Sequence, residues 1–121
     1  MRLFHSLWTK PALDKRWDTS NQLESNIWLY TLSVIFAKKQ GFEIVLHTDT
    51  LGKKLLGHLP YNQIYTTLDK IPSSIPTMIW AYGKFVALKE EPLGSIHIDG
   101  DVMITTSKCA DSLKGDYDLI I

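Results

Sequence analysis

Ile96-His97-Ile98-Asp99-Gly100-Asp101-Val102-Met103-Ile104 sets two carboxylates one residue apart between two apolar, β-branched runs. On an unbroken strand residues i and i+2 face the same way, so Asp99 and Asp101 share a side in that reading. Two like charges side by side are costly without a cation, and Gly100 between them permits a bend or a close backbone approach by a ligand. The stretch therefore reads as an acidic corner at the end of a buried strand, suited to Mg²⁺ or Mn²⁺ carrying a diphosphate. The competing reading is a hairpin, because Asp-Gly between apolar runs is also a strong two-residue turn signal. What precedes the triplet decides between them.

Just before it, Pro92-Leu93-Gly94 breaks a helix expected over 77–89, with Ile79, Tyr82 or Gly83 and Val86 at three-four spacing. Lys84 lies on that helix and is ordinarily a solvated side chain. A strand entered from a helix, with further helices alternating upstream, belongs in a parallel sheet rather than a hairpin. That context favours the acidic corner.

Further back the alternation continues. Phe42 to Thr48 is a strand with a continuous apolar centre, as parallel strands covered on both faces are. It ends at Asp49, a position where nucleotide-binding α/β domains meet a ribose or base. Asp49 is equally an N-cap for the short helix 51–59, with Leu51, Leu55, Leu56 and Leu59 in a stripe. Gln63 to Leu68 is a third strand, followed by the proline-bounded loop 71–76.

Upstream, Leu23, Ile27, Tyr30, Val34 and Ala37 mark a long helix over 22–40, with Trp28, Leu32, Ile35 and Phe36 widening its apolar face. This predicts a largely buried helix stopped by Gly41. Arg2 to Trp8 is the first strand, ended by Pro11, and Pro11 to Ser20 reads as a loop. His5 fits a satisfied interior histidine better than a metal ligand, and Trp8 fits the core better than a base-stacking platform. Residues 105–114 are mixed, and Asp116 to Ile121 reads as one more strand. The predicted fold is α/β: a three-layer, Rossmann-like, mostly parallel sheet of 4–5 strands with helices on both faces.

Composition limits the function classes. The chain has 121 residues, enough for one domain with a real core. Thirteen basic and thirteen acidic residues balance, which argues against a broad nucleic-acid footprint. One cysteine, Cys109, allows no internal disulfide and no cysteine-based zinc site, and a cytoplasmic setting is expected. No apolar run approaches the length of a membrane span. The end on Leu119-Ile120-Ile121 suggests an edge covered by another chain, or the front part of something longer. With Trp8, Trp17, Trp28 and Trp80 it predicts a homo-oligomer.

His5 to Pro11, Leu46 to Gly52, Trp80 to Lys84 and His97 to Asp101 together resemble a group of bacterial glycosyltransferase-like proteins, and the order of elements ending in Asp-x-Asp is similar to the nucleotide-sugar-binding half of GT-A-type glycosyltransferases. The resemblance implies Mn²⁺ or Mg²⁺ at Asp101 on a sugar-nucleotide diphosphate, with Asp99 near the ribose or sugar and sometimes the metal. It implies Lys84 near the sugar or diphosphate, Asp49 near the nucleoside, and Ser6, Trp8 and Thr9 near the base. The acceptor half of such enzymes has no match here, so a donor half-site is expected. The alternative is a non-catalytic α/β module that pairs through its C-terminal strand edge.

Overall fold

The computed structural model describes residues 2–13, 22–76, 78–79 and 81–113. Strands β1 (Arg2–Leu7), β2 (Glu43–Thr48), β3 (Gln63–Tyr65) and β4 (Ile96–His97) form one parallel sheet in the order β3-β2-β1-β4. The α/β expectation holds. The chain runs outward from β1 to β2 to β3, then crosses back to lay β4 on the other side of β1, so the direction of winding reverses between β1 and β4.

Register follows from the two-residue alternation of side chains. Leu3, Leu7, Ile44 and Leu46 point to the face covered by helices α2 (Gln22–Lys39) and α3 (Thr50–Leu56), where they meet Tyr30, Val34, Ala37 and Leu56. Phe4 and Val45 point to the opposite face and pack on Ala87 of α4 (Tyr82–Glu90). Because β2 is sandwiched, its apolar centre Ile44-Val45-Leu46 is continuous, which is why it reads as a parallel strand.

Helix α2 stops as its sequence indicates. Gly41 takes a left-handed φ of 82°, its N–H bonds the Lys38 carbonyl at 3.0 Å, and the Phe42 N–H bonds Ala37 at 3.1 Å. That is a Schellman closure, with Phe42 and Ala37 packed in one cluster. The widened face does not hold, however. Tyr30, Ser33, Val34 and Ala37 are buried, whereas Trp28, Leu32 and Ile35 are 66%, 45% and 42% exposed. One helix flank suffices to cover this part of the sheet.

Other boundaries also shift. The stretch Lys10–Leu13 forms a short helix, α1, rather than loop. The third strand ends at Tyr65, and Thr67–Lys70 winds as a 3-10 turn. Helix α4 begins at Tyr82, not 77, because the Ile79 and Tyr82 N–H groups close turns onto Pro76 and Ile79. Helix α5 (Ser107–Leu113) fills the stretch read as mixed and buries Ala110. The expected strand 116–121, most of the loop 11–20, Trp17 and Trp80 lie outside the described residues. No helix among the described residues is long and apolar enough to cross a membrane.

Candidate functional site

In open parallel sheets the crevice beyond the carboxyl ends of the strands, where the winding reverses, is the usual ligand position. Here that point lies between β1 and β4. Four segments supply it: the exit of β1 (Ser6 to Thr9), the start of α4, the end of β4, and Tyr30 from α2 beneath.

The exit of β1 is braced from the side. The Thr9 N–H and hydroxyl both donate to Asp49 Oδ2, at 2.9 and 2.7 Å, and Asp49 Oδ1 accepts from the Gly52 N–H at 2.9 Å. Asp49 is thus the cap of α3 and the anchor of the Thr9 loop. Asp69 takes the Thr50 N–H and hydroxyl at 2.9 and 2.7 Å, so two carboxylates already sit at the amino end of α3. A nucleotide phosphate finds no vacancy there.

Trp8 meets the start of α4. A Cβ on Gly83 would lie 2.9 Å from the Trp8 Cβ and 3.2 Å from Leu68, and the Trp8 and Tyr82 rings are 6.5 Å apart. Glycine at 83 lets the helix press onto the exit of β1 and fixes where the next residue, Lys84, emerges. Lys84 Nζ then donates to Asp99 Oδ1 at 2.7 Å.

The acidic triplet is a turn and not a strand. β4 stops at His97, the Val102 N–H closes onto the Asp99 carbonyl at 3.0 Å, and Asp99 and Asp101 sit on exposed turn positions rather than on one strand face. It is no hairpin either, since β4 pairs in parallel with β1 and Ile98 continues the pairing with its N–H on the Phe4 carbonyl at 3.1 Å. The reason is packing from a distant element. Gly100 is buried against the Tyr30 ring, and a Cβ there would lie 2.4 Å from Tyr30 Cε2. Tyr30 cannot retreat, because its hydroxyl donates to the Ser6 carbonyl at 2.6 Å. Ser33 ties down the far side of the turn by donating to the Val102 carbonyl at 2.6 Å.

His97 joins the site without having been singled out from the sequence. Its Nε2 is 3.0 Å from Ser6 Oγ, its Nδ1 is 3.9 Å from Asp99 Oδ1, and its ring stands edge-on to Phe4. The parallel pairing of Phe4 with His97 puts it on the same face as Ser6, a register that local sequence does not carry. Burial lowers the His97 pKa, countered in part by Asp99. Burial pushes the Asp99 carboxyl up, but the Lys84 ammonium, through its hydrogen bond and its charge, outweighs that and holds it below its ordinary 3.8, with His97 assisting. Burial raises the Tyr30 phenol, and both Asp99 and Asp101 add to the rise, so both carboxylates act on the same ring.

Of the residues singled out from the sequence, Ser6, Trp8, Lys84, Asp99 and Asp101 gather around the reversal point. Thr9 and Asp49 support it by bonding each other.

Fold and site define an α/β domain with an acidic turn and a lysine at the point where its parallel sheet reverses. Over residues 1–120 the chain matches the family described as "Family of unknown function (DUF6734)", and it belongs to that family. No curated protein and no solved structure matches it.

Proposed function

We propose that this domain is glycosyltransferase-like and binds a nucleotide-diphosphate sugar through Mn²⁺ or Mg²⁺ at Asp101 and Asp99, as a donor half-site whose acceptor half comes from elsewhere. The observation that carries the reading is the Lys84–Asp99 contact on the acidic turn at the β1/β4 reversal, with Asp101 exposed on the same turn.

The donor set suits such a cation. Carboxylate oxygens are hard ligands, and Mg²⁺ is held in many phosphate sites by one or two carboxylates plus substrate oxygens and water. No group of three or more His, Cys, Asp or Glu side chains that could hold a metal occurs among the described residues. Two carboxylates suit a cation that arrives on a diphosphate rather than one caged by protein alone. The Lys84 ammonium against Asp99 already stands where positive charge is wanted. When bound, the cation would neutralise the diphosphate leaving group. In this reading Lys84 faces the diphosphate or sugar, Asp99 the ribose or sugar, and Ser6 and Trp8 the base, with Thr9 held in place by Asp49.

Calorimetric titration of UDP and of GDP, with and without Mn²⁺, tests it. Metal-dependent binding that weakens at least about tenfold in Asp101→Asn is the expected result. A folded protein that takes up neither nucleotide retires the reading.

The second reading is a non-catalytic interaction module that pairs through its C-terminal strand edge, which lies outside the described residues; the exposed Trp28, Leu32 and Ile35 stripe of α2 favours association as well. Both readings propose a cytoplasmic homo-oligomer. Sedimentation at micromolar concentration is expected to show a species larger than the monomer, and a monomer alone rules it out.

A further inference from the structure

Lys84 holds the acidic turn at the oxygen a cation would use. Its Nζ is 2.7 Å from Asp99 Oδ1, with the Lys84 side chain 36% and the Asp99 side chain 52% exposed. An ammonium and a divalent ion cannot share that oxygen comfortably. At about 4 Å, charges of one and two repel even through water by enough to change affinity roughly tenfold or more. The lysine cannot simply move off with its helix, because Gly83 clamps the start of α4 against Trp8 and Leu68. Only the flexible four-carbon stem can swing, and its ammonium is a compact charge with rotatable donors, well matched to a phosphate oxygen.

We infer that Lys84 is a selectivity gate, pairing with Asp99 to keep free divalent cations off the acidic turn and transferring to a phosphate oxygen when cation and diphosphate arrive together. This rests on the donor-site reading and adds to it a preferred ligand, the cation-diphosphate pair over either part alone. Two features of the site support the transfer. His97 Nδ1 lies 3.9 Å from Asp99 Oδ1, beyond hydrogen-bond range, so it does not compete with a cation for that oxygen when Lys84 leaves. Asp101 stands exposed on the same turn, two residues from Asp99, where its carboxylate can take part in holding the cation.

The test titrates Mn²⁺ alone into the protein, followed by the electron paramagnetic resonance signal of the free ion, and then UDP and GDP with Mn²⁺ by calorimetry. Wild type is compared with Lys84→Met, Lys84→Gln and Lys84→Arg, each checked for native circular dichroism. Met and Gln variants are expected to bind Mn²⁺ alone about tenfold more tightly than wild type and the nucleotide with Mn²⁺ at least several-fold more weakly. Arg should keep the wild-type order. If Met and Gln leave Mn²⁺ affinity unchanged or weaken it while wild type binds nucleotide normally, the gate is overturned and the donor site stands. If wild type binds no nucleotide under any condition, the donor-site reading fails and the transfer fails with it. The two failures are therefore distinguishable.

Discussion

Lowering the pH from 6.5 to 4 is expected to remove about 3 kcal/mol from the stability of this fold through one imidazole, His5. His5 is fully buried at the centre of β1, facing α2. Its Nδ1 is 2.6 Å from the Tyr61 hydroxyl and its Nε2 2.9 Å from Ser33 Oγ. Ser33 has one proton and donates it to the Val102 carbonyl, so its oxygen accepts from the Nε2–H of His5, and Nδ1 in turn accepts from Tyr61. A neutral ring satisfies every partner, and a second proton does not. Burial, with the nearby His97, lowers the His5 pKa from 6.5 to about 3, opposed by Asp99.

Below pH 6.5 the unfolded chain takes up a proton that the folded chain refuses, so folding weakens by about 1.4 kcal/mol for each pH unit down to the folded value. Small domains have about 5–15 kcal/mol in all. Urea unfolding at pH 7, 6, 5 and 4 reads this as a falling midpoint. A His5→Gln variant should start lower, having lost a ring that bridges two partners, but should decline less steeply. Parallel slopes for the two proteins would clear His5 of the effect.

Local signals in the sequence carried the elements they could. The continuous apolar centre of Phe42 to Thr48 marks a strand covered on both faces, and Gly41, just past Lys38 and Lys39, marks the helix stop. The cap role of Asp49 is legible because the leucine stripe of a short helix begins just after it. What failed depended on contacts distant in sequence. Asp99 and Asp101 leave the strand geometry because Gly100 sits on Tyr30, seventy positions earlier, and no periodicity near the triplet encodes that contact. His97 became part of the site through its pairing with Phe4, again a matter of register. The apolar width of α2 exceeds its buried width for a similar reason, since hydrophobic residues specify what a helix can bury, while the neighbours decide how much of it they cover.

Replacing Glu91 by Ala is expected to cost about 3–5 kcal/mol, because it breaks a buried charge cluster from its centre. Glu91 follows α4 and its side chain is 1% exposed. Oε2 accepts from Arg2 Nε at 2.8 Å, and Oε1 accepts from Arg2 Nη2 at 3.0 Å and from His47 Nε2 at 2.5 Å. His47 is itself buried, fixed by Thr67 at 2.8 Å and stacked on Tyr65. One carboxylate thus ties β1, β2 and the end of α4 together. Burial pushes its pKa up, but the hydrogen bonds from Arg2, His47 and Ser95 prevail and hold it below its ordinary 4.5. The stabilisation this represents is present above that value and is lost as the pH falls through the lower folded one, a window beneath the one His5 opens at 6.5. Measuring at pH 7 therefore isolates the Glu91 cluster. Glu43, which Arg2 also reaches at 3.1 Å, is the control: that pair is exposed, and Glu43→Ala should cost under about 1 kcal/mol. Glu91→Gln keeps the shape and two acceptor lone pairs but no charge, and should fall between the two. Were Glu91→Ala to lose no more than Glu43→Ala, the three elements would be held by the Phe4, Val45 and Ala87 contacts alone, with the charges merely tolerated at their edge.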